Sequence, residues 1–136
     1  MLEEKSEALA MHRYQIIPLL LLLSCSLAFA QAHRVIPVRF SQGASEVTLV
    51  EGVARGETAT FVLDASKGQK MRVVCDSIED NAEFDVVSAG GWELGHSRHK
   101  NGQQVWYGAL PHSGPNHVIV GNTRGGSEIT ITFEIH

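Results

Sequence analysis

Residues 61–75 read FVLDASKGQKMRVVC, and this stretch decides the fold class. Apolar residues alternate with more polar ones on both sides of a short polar segment, which is the period-two pattern of half-buried β-strands. The alternating residues are Phe61 and Leu63 before the segment and Met71, Val73 and Cys75 after it. Between them, Asp64–Gly68 offers a side-chain acceptor that can close a turn and a glycine that tolerates positive φ. The stretch therefore predicts a β-hairpin around which the domain is built.

The rest of the chain repeats this pattern of short strands and turns. Val35–Phe40 reads as a first strand, and Pro37 within it predicts an edge position, because proline lacks the amide hydrogen that a central strand needs. Further strands are predicted at 46–53, 84–87, 92–94, 105–110, 118–120 and 129–135. The polar stretch Gly95–Gln104 has no apolar period and is predicted to be a mobile connection. About eight short strands without helical periodicity predict an all-β fold, a small antiparallel β-sandwich.

The first thirty residues read as a targeting signal. Residues 16–23 form an apolar run too short to span a membrane, and Ala28–Ala30 places small residues at the positions that signal peptidase reads. We expect residues 1–30 to be a signal peptide, with Met11 as an alternative true start, and residues 31–136 to be a single domain of an exported, periplasmic protein. Cleavage before Cys25 would instead leave a lipid-anchored protein, because the residues before it are close to a lipobox.

Charge and cysteine content narrow the function classes. The chain from residue 31 carries nine lysines and arginines against twelve acidic residues, a net charge of −3, so the sequence has no basic footprint for nucleic acid. Cys75 is the one cysteine left after such a cleavage, so no internal disulfide can form. Its place on the apolar face of a predicted strand favours a small buried residue.

Several short motifs carry a family resemblance that covers nearly all of the predicted domain. They include ASKGQ at Ala65–Gln69, NAEF at Asn81–Phe84 and LPHSG at Leu110–Gly114. With these motifs the chain resembles the bacterial pre-peptidase C-terminal (PPC-like) domains, which are small exported β-sandwiches. VRFSQG at Val38–Gly43 and NTR at Asn122–Arg124 make it most similar to the periplasmic inhibitors of g-type lysozyme. The resemblance implies a non-enzymatic inhibitor whose protein partner is a goose-type lysozyme.

The candidate site residues follow from what such an inhibitor must do. A lysozyme cleft holds carboxylates, so an inhibiting loop should offer hydrogen-bond donors to them, and arginine can bind a carboxylate through two parallel bonds. The candidates are His112, Ser113, Gly114, Asn116 and Arg124. We expect the loops 112–116 and 122–126 to form one inhibitory edge. The alternative is that Ser113 and Gly114 only form a turn and that Arg124 is a solvated tip residue.

A second function class stays open on the same fold. A non-catalytic module could bind carbohydrate or protein at the cell surface, including peptidoglycan, and could form a homodimer. A flat aromatic face around Trp92 would favour sugar binding, whereas Trp106 is expected in the core with Tyr107 facing the other way. Catalysis has little support, because Ser113 has no evident base and orienting group at a known spacing.

Metal and cofactor sites are not expected. His96 and His99 lie three residues apart, which invites a metal site, but Arg98 and Lys100 beside them would repel a cation. The acidic stretch 76–85 concentrates oxygen ligands without the spacing of an EF-hand, so a solvated loop is favoured over a calcium site.

Overall fold

Ten β-strands account for the regular structure in the computed structural model, which describes residues 32–122 and 124–136. The strands are β1 His33–Pro37, β2 Glu46–Val53, β3 Thr58–Ala65, β4 Lys70–Ser77, β5 Ala82–Val87, β6 Glu93–His96, β7 Arg98–Lys100, β8 Gln103–Ala109, β9 Gly114–Asn122 and β10 Ser127–Ile135. Within these residues there is no helix long and apolar enough to cross a membrane. The predicted signal peptide 1–30, with Met11 and Cys25, lies outside the described residues.

The strands form two five-stranded sheets, which confirms the all-β sandwich. The first sheet has the order β1-β3-β9-β5-β6 and the second the order β2-β10-β4-β8-β7. Neighbouring strands are antiparallel except β1, which runs parallel to β3. This strand lies at the edge of its sheet, as Pro37 predicts, and Pro37 is its last residue.

The predicted hairpin at 61–75 is wrong, although both of its strands are present. β3 belongs to the first sheet and pairs with β9, whereas β4 belongs to the second sheet and pairs with β10 and β8. Residues 66–69 therefore carry the chain across the sandwich, with Gly68 at φ +92°. The alternation of apolar and polar residues shows which face of a strand is buried, but it does not show which strand lies beside it. The inner faces of β3 and β4 thus face each other across the core.

The core lies between the inner faces of the two sheets. The rings of Phe61 and Phe133 meet there with their centroids 5.5 Å apart. Cys75 is buried among apolar side chains, as expected, and burial raises the pKa of its thiol to about 12. Trp106 packs against the edge of this core while Tyr107, its neighbour in β8, is 58% exposed. The two rings therefore point to opposite faces of the strand.

The stretch 95–104 is ordered into strands, which corrects the predicted mobile connection. It holds the end of β6, all of β7 and the start of β8. β6 and β7 are edge strands of different sheets, and the chain crosses between the sheets at Ser97. Ser97 is fixed twice to Phe84, since its amide donates to the Phe84 carbonyl and its hydroxyl accepts from the Phe84 amide. Short edge strands are largely solvated, so they leave no apolar period in the sequence.

Candidate functional site

The predicted site residues lie at the two ends of strand β9. His112, Ser113 and Gly114 come at its start, and Arg124 follows its last residue, Asn122. Nine extended residues span about 27 Å, so the structure does not bring loops 112–116 and 124–126 together. The two ends of the sandwich are called here the Ser113 end, with loops 66–69, 88–92 and 110–113, and the Arg124 end, with loops 54–57, 78–81 and 124–126.

At the Ser113 end, Asn116 is a buried structural residue. Its side chain has no exposed surface. Its Oδ1 accepts a hydrogen bond from the Ala89 amide at 3.2 Å, and its Nδ2 donates to the Gly114 carbonyl at 3.1 Å. Gly114 adopts φ +123°, which favours glycine. Asn116 and Gly114 therefore shape the loop that presents Ser113.

Ser113 and His112 are the more accessible members of this end. The Ser113 hydroxyl is exposed and accepts a hydrogen bond from the Lys67 amide at 2.8 Å. The half-buried His112 has its Nδ1 3.4 Å from the Ser88 hydroxyl and packs against Gly90. Trp92 lies against Gly90 as well and is 68% exposed. The Ser113 end thus offers one hydroxyl and one large exposed aromatic ring.

At the Arg124 end, the turn 54–57 packs against the turn 124–126. The turn 54–57 closes on itself, because the Glu57 amide donates to the Ala54 carbonyl at 3.0 Å and the Ala54 amide donates to the Glu57 carboxylate at 3.0 Å. Gly126 packs so closely on this turn that a Cβ there would lie 3.2 Å from the Arg55 amide nitrogen. The Asn122 side chain adds a hydrogen bond of 2.7 Å to the Val53 carbonyl.

A third loop fixes the backbone of Arg124 itself. The Asn81 side chain donates to the Arg124 carbonyl at 2.7 Å. Asn81 is held in turn by the Ser77 hydroxyl, which accepts from the Asn81 amide at 3.0 Å. Arg55 and Arg124 are both exposed, and neither forms an ion pair within the part of the chain that the structure describes. Among the described residues, the Arg124 end therefore presents two unpaired guanidinium groups on turns that are held by hydrogen bonds.

Sequence reasoning did not identify Arg55. Its turn lies about seventy residues before Arg124, and the two turns meet because β2 pairs with β10, with Val53 opposite Ser127. The signal available in the sequence was an arginine followed by glycine between two predicted strands, and that combination occurs in many solvated loops. Only the pairing of the strands distinguishes it.

The acidic stretch 76–85 does not converge on one point. Asp76 accepts a hydrogen bond from Gln103 at 2.7 Å, Asp80 pairs with His99 at 3.0 Å, and Asp85 pairs with His96. His96 and His99 lie on strands of different sheets and are engaged by separate carboxylates. The structure thus brings together neither the two histidines nor the acidic side chains of this stretch as a set.

One compact titratable cluster joins β6 to β5. His96 contacts Asp85 through Nδ1 and Glu93 through Nε2, the latter at 3.1 Å. Residues three apart on a regular strand face opposite ways, but a register shift between Val86 and Val87 places Glu93 and His96 on one face. The hydrogen bond and charge of Asp85, with the charge of Glu93, raise the pKa of His96. The cluster is an exposed group of three paired side chains that joins the edge strand β6 to β5.

With this architecture, the chain is a PPC-like β-sandwich. No family model and no curated protein sequence matches it. Among solved structures, the pre-peptidase C-terminal domain of a collagenase from Bacillus anthracis is 6% identical, with a TM-score of 0.57 over 79% of this chain and 98% of that chain. At that identity the likeness shows the fold alone.

A more specific likeness is to the PliG proteins, periplasmic lysozyme inhibitors of g-type lysozyme. The protein from Aeromonas hydrophila is 27% identical, with a TM-score of 0.70 over 79% of this chain and 100% of that chain. A mutant of the Escherichia coli protein is 20% identical, with a TM-score of 0.58 over 77% of this chain and 99% of that chain. The resemblance to this inhibitor family and to PPC-like domains is confirmed.

Proposed function

We propose that this protein inhibits a lysozyme of the goose type in the periplasm. The observation that carries the proposal is the likeness to the Aeromonas hydrophila inhibitor, at 27% identity and across the whole of that chain. In this proposal, residues 1–30 are the signal peptide and residues 31–136 the inhibitory domain, with anchoring through Cys25 as the alternative. The protein acts as a binding partner and not as an enzyme.

The Arg124 end is the surface proposed to enter the lysozyme cleft. Arg124 and Arg55 are exposed cations on turns that are fixed by hydrogen bonds to neighbouring loops. The backbones of such turns lose little conformational freedom on binding, and arginine bonds to a desolvated carboxylate are among the strong contacts at interfaces. At the Ser113 end, by contrast, the Ser113 hydroxyl and Asn116 already serve hydrogen bonds within the protein.

A lysis assay tests both the activity and the surface. Goose-type, chicken-type and invertebrate-type lysozymes would act on permeabilised bacterial cells with and without the purified protein. We expect selective loss of goose-type activity, and an inhibition constant at least about tenfold weaker for Arg124→Ala and for Arg55→Ala, the effect of one truncated interface contact. Ser113→Ala is the matched control and should inhibit as well as the unaltered protein.

The possible results distinguish the inhibitory activity from the surface that carries it. Inhibition of no lysozyme class would refute the proposed function. Inhibition that survives Arg124→Ala and Arg55→Ala but is lost in Ser113→Ala would keep the function and move the surface to the Ser113 end.

The exposed Trp92 favours a second candidate, a module that binds carbohydrate at the cell surface. Its ring is 68% exposed, and an exposed indole is a usual stacking platform for a sugar ring. Retention of the protein on insoluble peptidoglycan, lost in Trp92→Ala and kept in Arg124→Ala, would support this candidate. Equal retention of both variants would rule out Trp92 as its site.

A further inference from the structure

Because the chain crosses between the sheets at Ser97, half of β8 has no neighbour on one side among the residues that the structure describes. β7 pairs with β8 only at Gln103–Val105, because the residues before Arg98 belong to the other sheet. Beyond that point Trp106–Ala109 has β4 on one side and, among the described residues, no strand on the other. The second half of β8 is therefore a free sheet edge.

The hydrogen bonds around Leu110 show which peptide groups face this free edge. The Leu110 amide donates to the Gln69 carbonyl, and its carbonyl accepts from the Gly68 amide, both at 2.8 Å, so its peptide groups point toward β4. The direction of the peptide groups alternates from residue to residue along a strand. The amide and carbonyl groups of Trp106 and Gly108 therefore also point toward β4, and those of Tyr107 and Ala109 point away from it. The amide and carbonyl groups of Tyr107 and Ala109 thus line the free edge at the spacing of a strand backbone.

A groove of about 760 Å³ runs along this edge, between β6 and β8. The indole of Trp106 lies in it against two glycines. A Cβ at Gly108 would be 2.8 Å from the six-membered ring, and a Cβ at Gly95 would be 3.2 Å from Nε1. Because neither position carries a side chain, the indole fits between the two strands. The groove therefore has an aromatic wall and a free strand edge.

The rim of the groove is basic. Arg98 and Lys100 line it, and neither forms an ion pair with any of residues 32–122 or 124–136. His96, also on the rim, is by contrast held by Asp85 and Glu93. An occupant with negative charge would find its complement in Arg98 and Lys100.

We propose that this groove binds an extended acidic peptide segment of a partner protein, which adds a strand to the free edge of β8. Addition of a strand satisfies the peptide groups of Tyr107 and Ala109, buries part of Trp106, and places carboxylates near Arg98 and Lys100. The free edge of four residues accommodates about 13 Å of extended chain. A peptide is favoured over an acidic sugar because the exposed donors and acceptors repeat every second residue, as they do in a strand.

The test uses two blocked pentapeptides, EVEVE and its basic counterpart KVKVK. In a Trp92→Phe background the remaining tryptophan, Trp106, reports binding by its fluorescence. We expect a saturable change with EVEVE that weakens as salt is raised, and none with KVKVK. Ala109→Pro removes an amide hydrogen that β4 does not use and should weaken binding about tenfold.

The controls separate strand addition from general charge attraction. Arg98→Ala combined with Lys100→Ala should also weaken EVEVE binding about tenfold, whereas Lys67→Ala, which removes an exposed lysine at the Ser113 end, should leave it unchanged. If Ala109→Pro does not fold, the backbone hydrogen bonds can be removed from the peptide instead. EVEVE methylated on alternate amide nitrogens lacks the amide hydrogens that strand addition needs and should not bind. The proposal is overturned if EVEVE does not bind, if neither backbone change weakens it, or if an acidic oligosaccharide binds and EVEVE does not.

Discussion

Replacing Asn116 by alanine should destabilise the domain strongly and leave lysozyme inhibition intact. The side chain is fully buried and joins the Ala89 amide to the Gly114 carbonyl. Its removal takes a partner from both groups, and a buried donor or acceptor left without one costs about 1–3 kcal/mol. Because water can reach the half-buried Ala89, we expect a total loss of about 2–4 kcal/mol of unfolding free energy, a large part of the 5–15 kcal/mol typical of a domain.

The measurement is urea denaturation followed by tryptophan fluorescence. Trp92 lies in the neighbouring loop 88–92, where its amide donates to the Ser88 hydroxyl, so it reports on the region that the substitution disturbs. The midpoint should fall without a change in slope. Ser113→Ala is the matched control, because it removes one exposed hydrogen bond and should cost about 0.5–1.5 kcal/mol.

One result would refute this reasoning. If Asn116→Ala changed stability by less than about 0.5 kcal/mol but weakened inhibition tenfold, the side chain would have to face the partner and not the core. Folded Asn116→Ala protein that inhibits at full strength would instead support a purely structural role.

Cys75, His96 and Gly114 each allow a separate test of the structure. The Cys75 thiol, with its pKa raised to about 12 by burial, should not react with a thiol reagent at pH 8 until urea unfolds the protein; fast reaction of the native protein would contradict its burial. An NMR titration should give His96 a pKa above its ordinary value of 6.5, and Asp85→Asn should lower it. Because the pKa of His96 is higher in the folded state than in the unfolded state, its pairing with Asp85 stabilises the fold below the unfolded-state pKa. This stabilisation is lost as the pH rises through the folded-state pKa. A His96 pKa that is not raised would contradict the pairing. Gly114→Ala forces a Cβ into φ +123°, 3.3 Å from the Ala89 Cβ, and should cost about 1–3 kcal/mol in thermal or urea unfolding, whereas an unchanged midpoint would show that the turn adapts.

Residues with a regular period were predictable from the sequence. The alternation of Ile129, Ile131 and Phe133 identified both the strand and its buried face, and Cys75 followed from the same rule. Pro37 marked an edge strand, because a missing amide hydrogen is a property of the residue itself. β7 and the second half of β6 were not predicted, since a largely solvated strand needs no apolar period.

The sequence suggested candidate residues for a binding site but not how the fold arranges them. Arg124 was predicted to be a donor for a partner; it is exposed on a turn, and its role stays a prediction. Asn116, chosen as a donor for a partner, proves to be buried, because an asparagine in a turn motif serves the loop backbone as readily as a ligand. Arg55 became visible only when β2 was paired with β10.

The sequence by itself determined the all-β class, the buried face of the main strands and the family resemblance, because alternation and turn chemistry are local properties of the chain. The tertiary structure decided which strands are neighbours. It placed β3 and β4 in different sheets, Ser113 and Arg124 at opposite ends of β9, and the turn that holds Arg55 against Gly126 in the turn that holds Arg124. The physical reason is that strand pairing joins residues far apart in sequence, and a period of two is equally satisfied by a hairpin within one sheet and by a crossing between two.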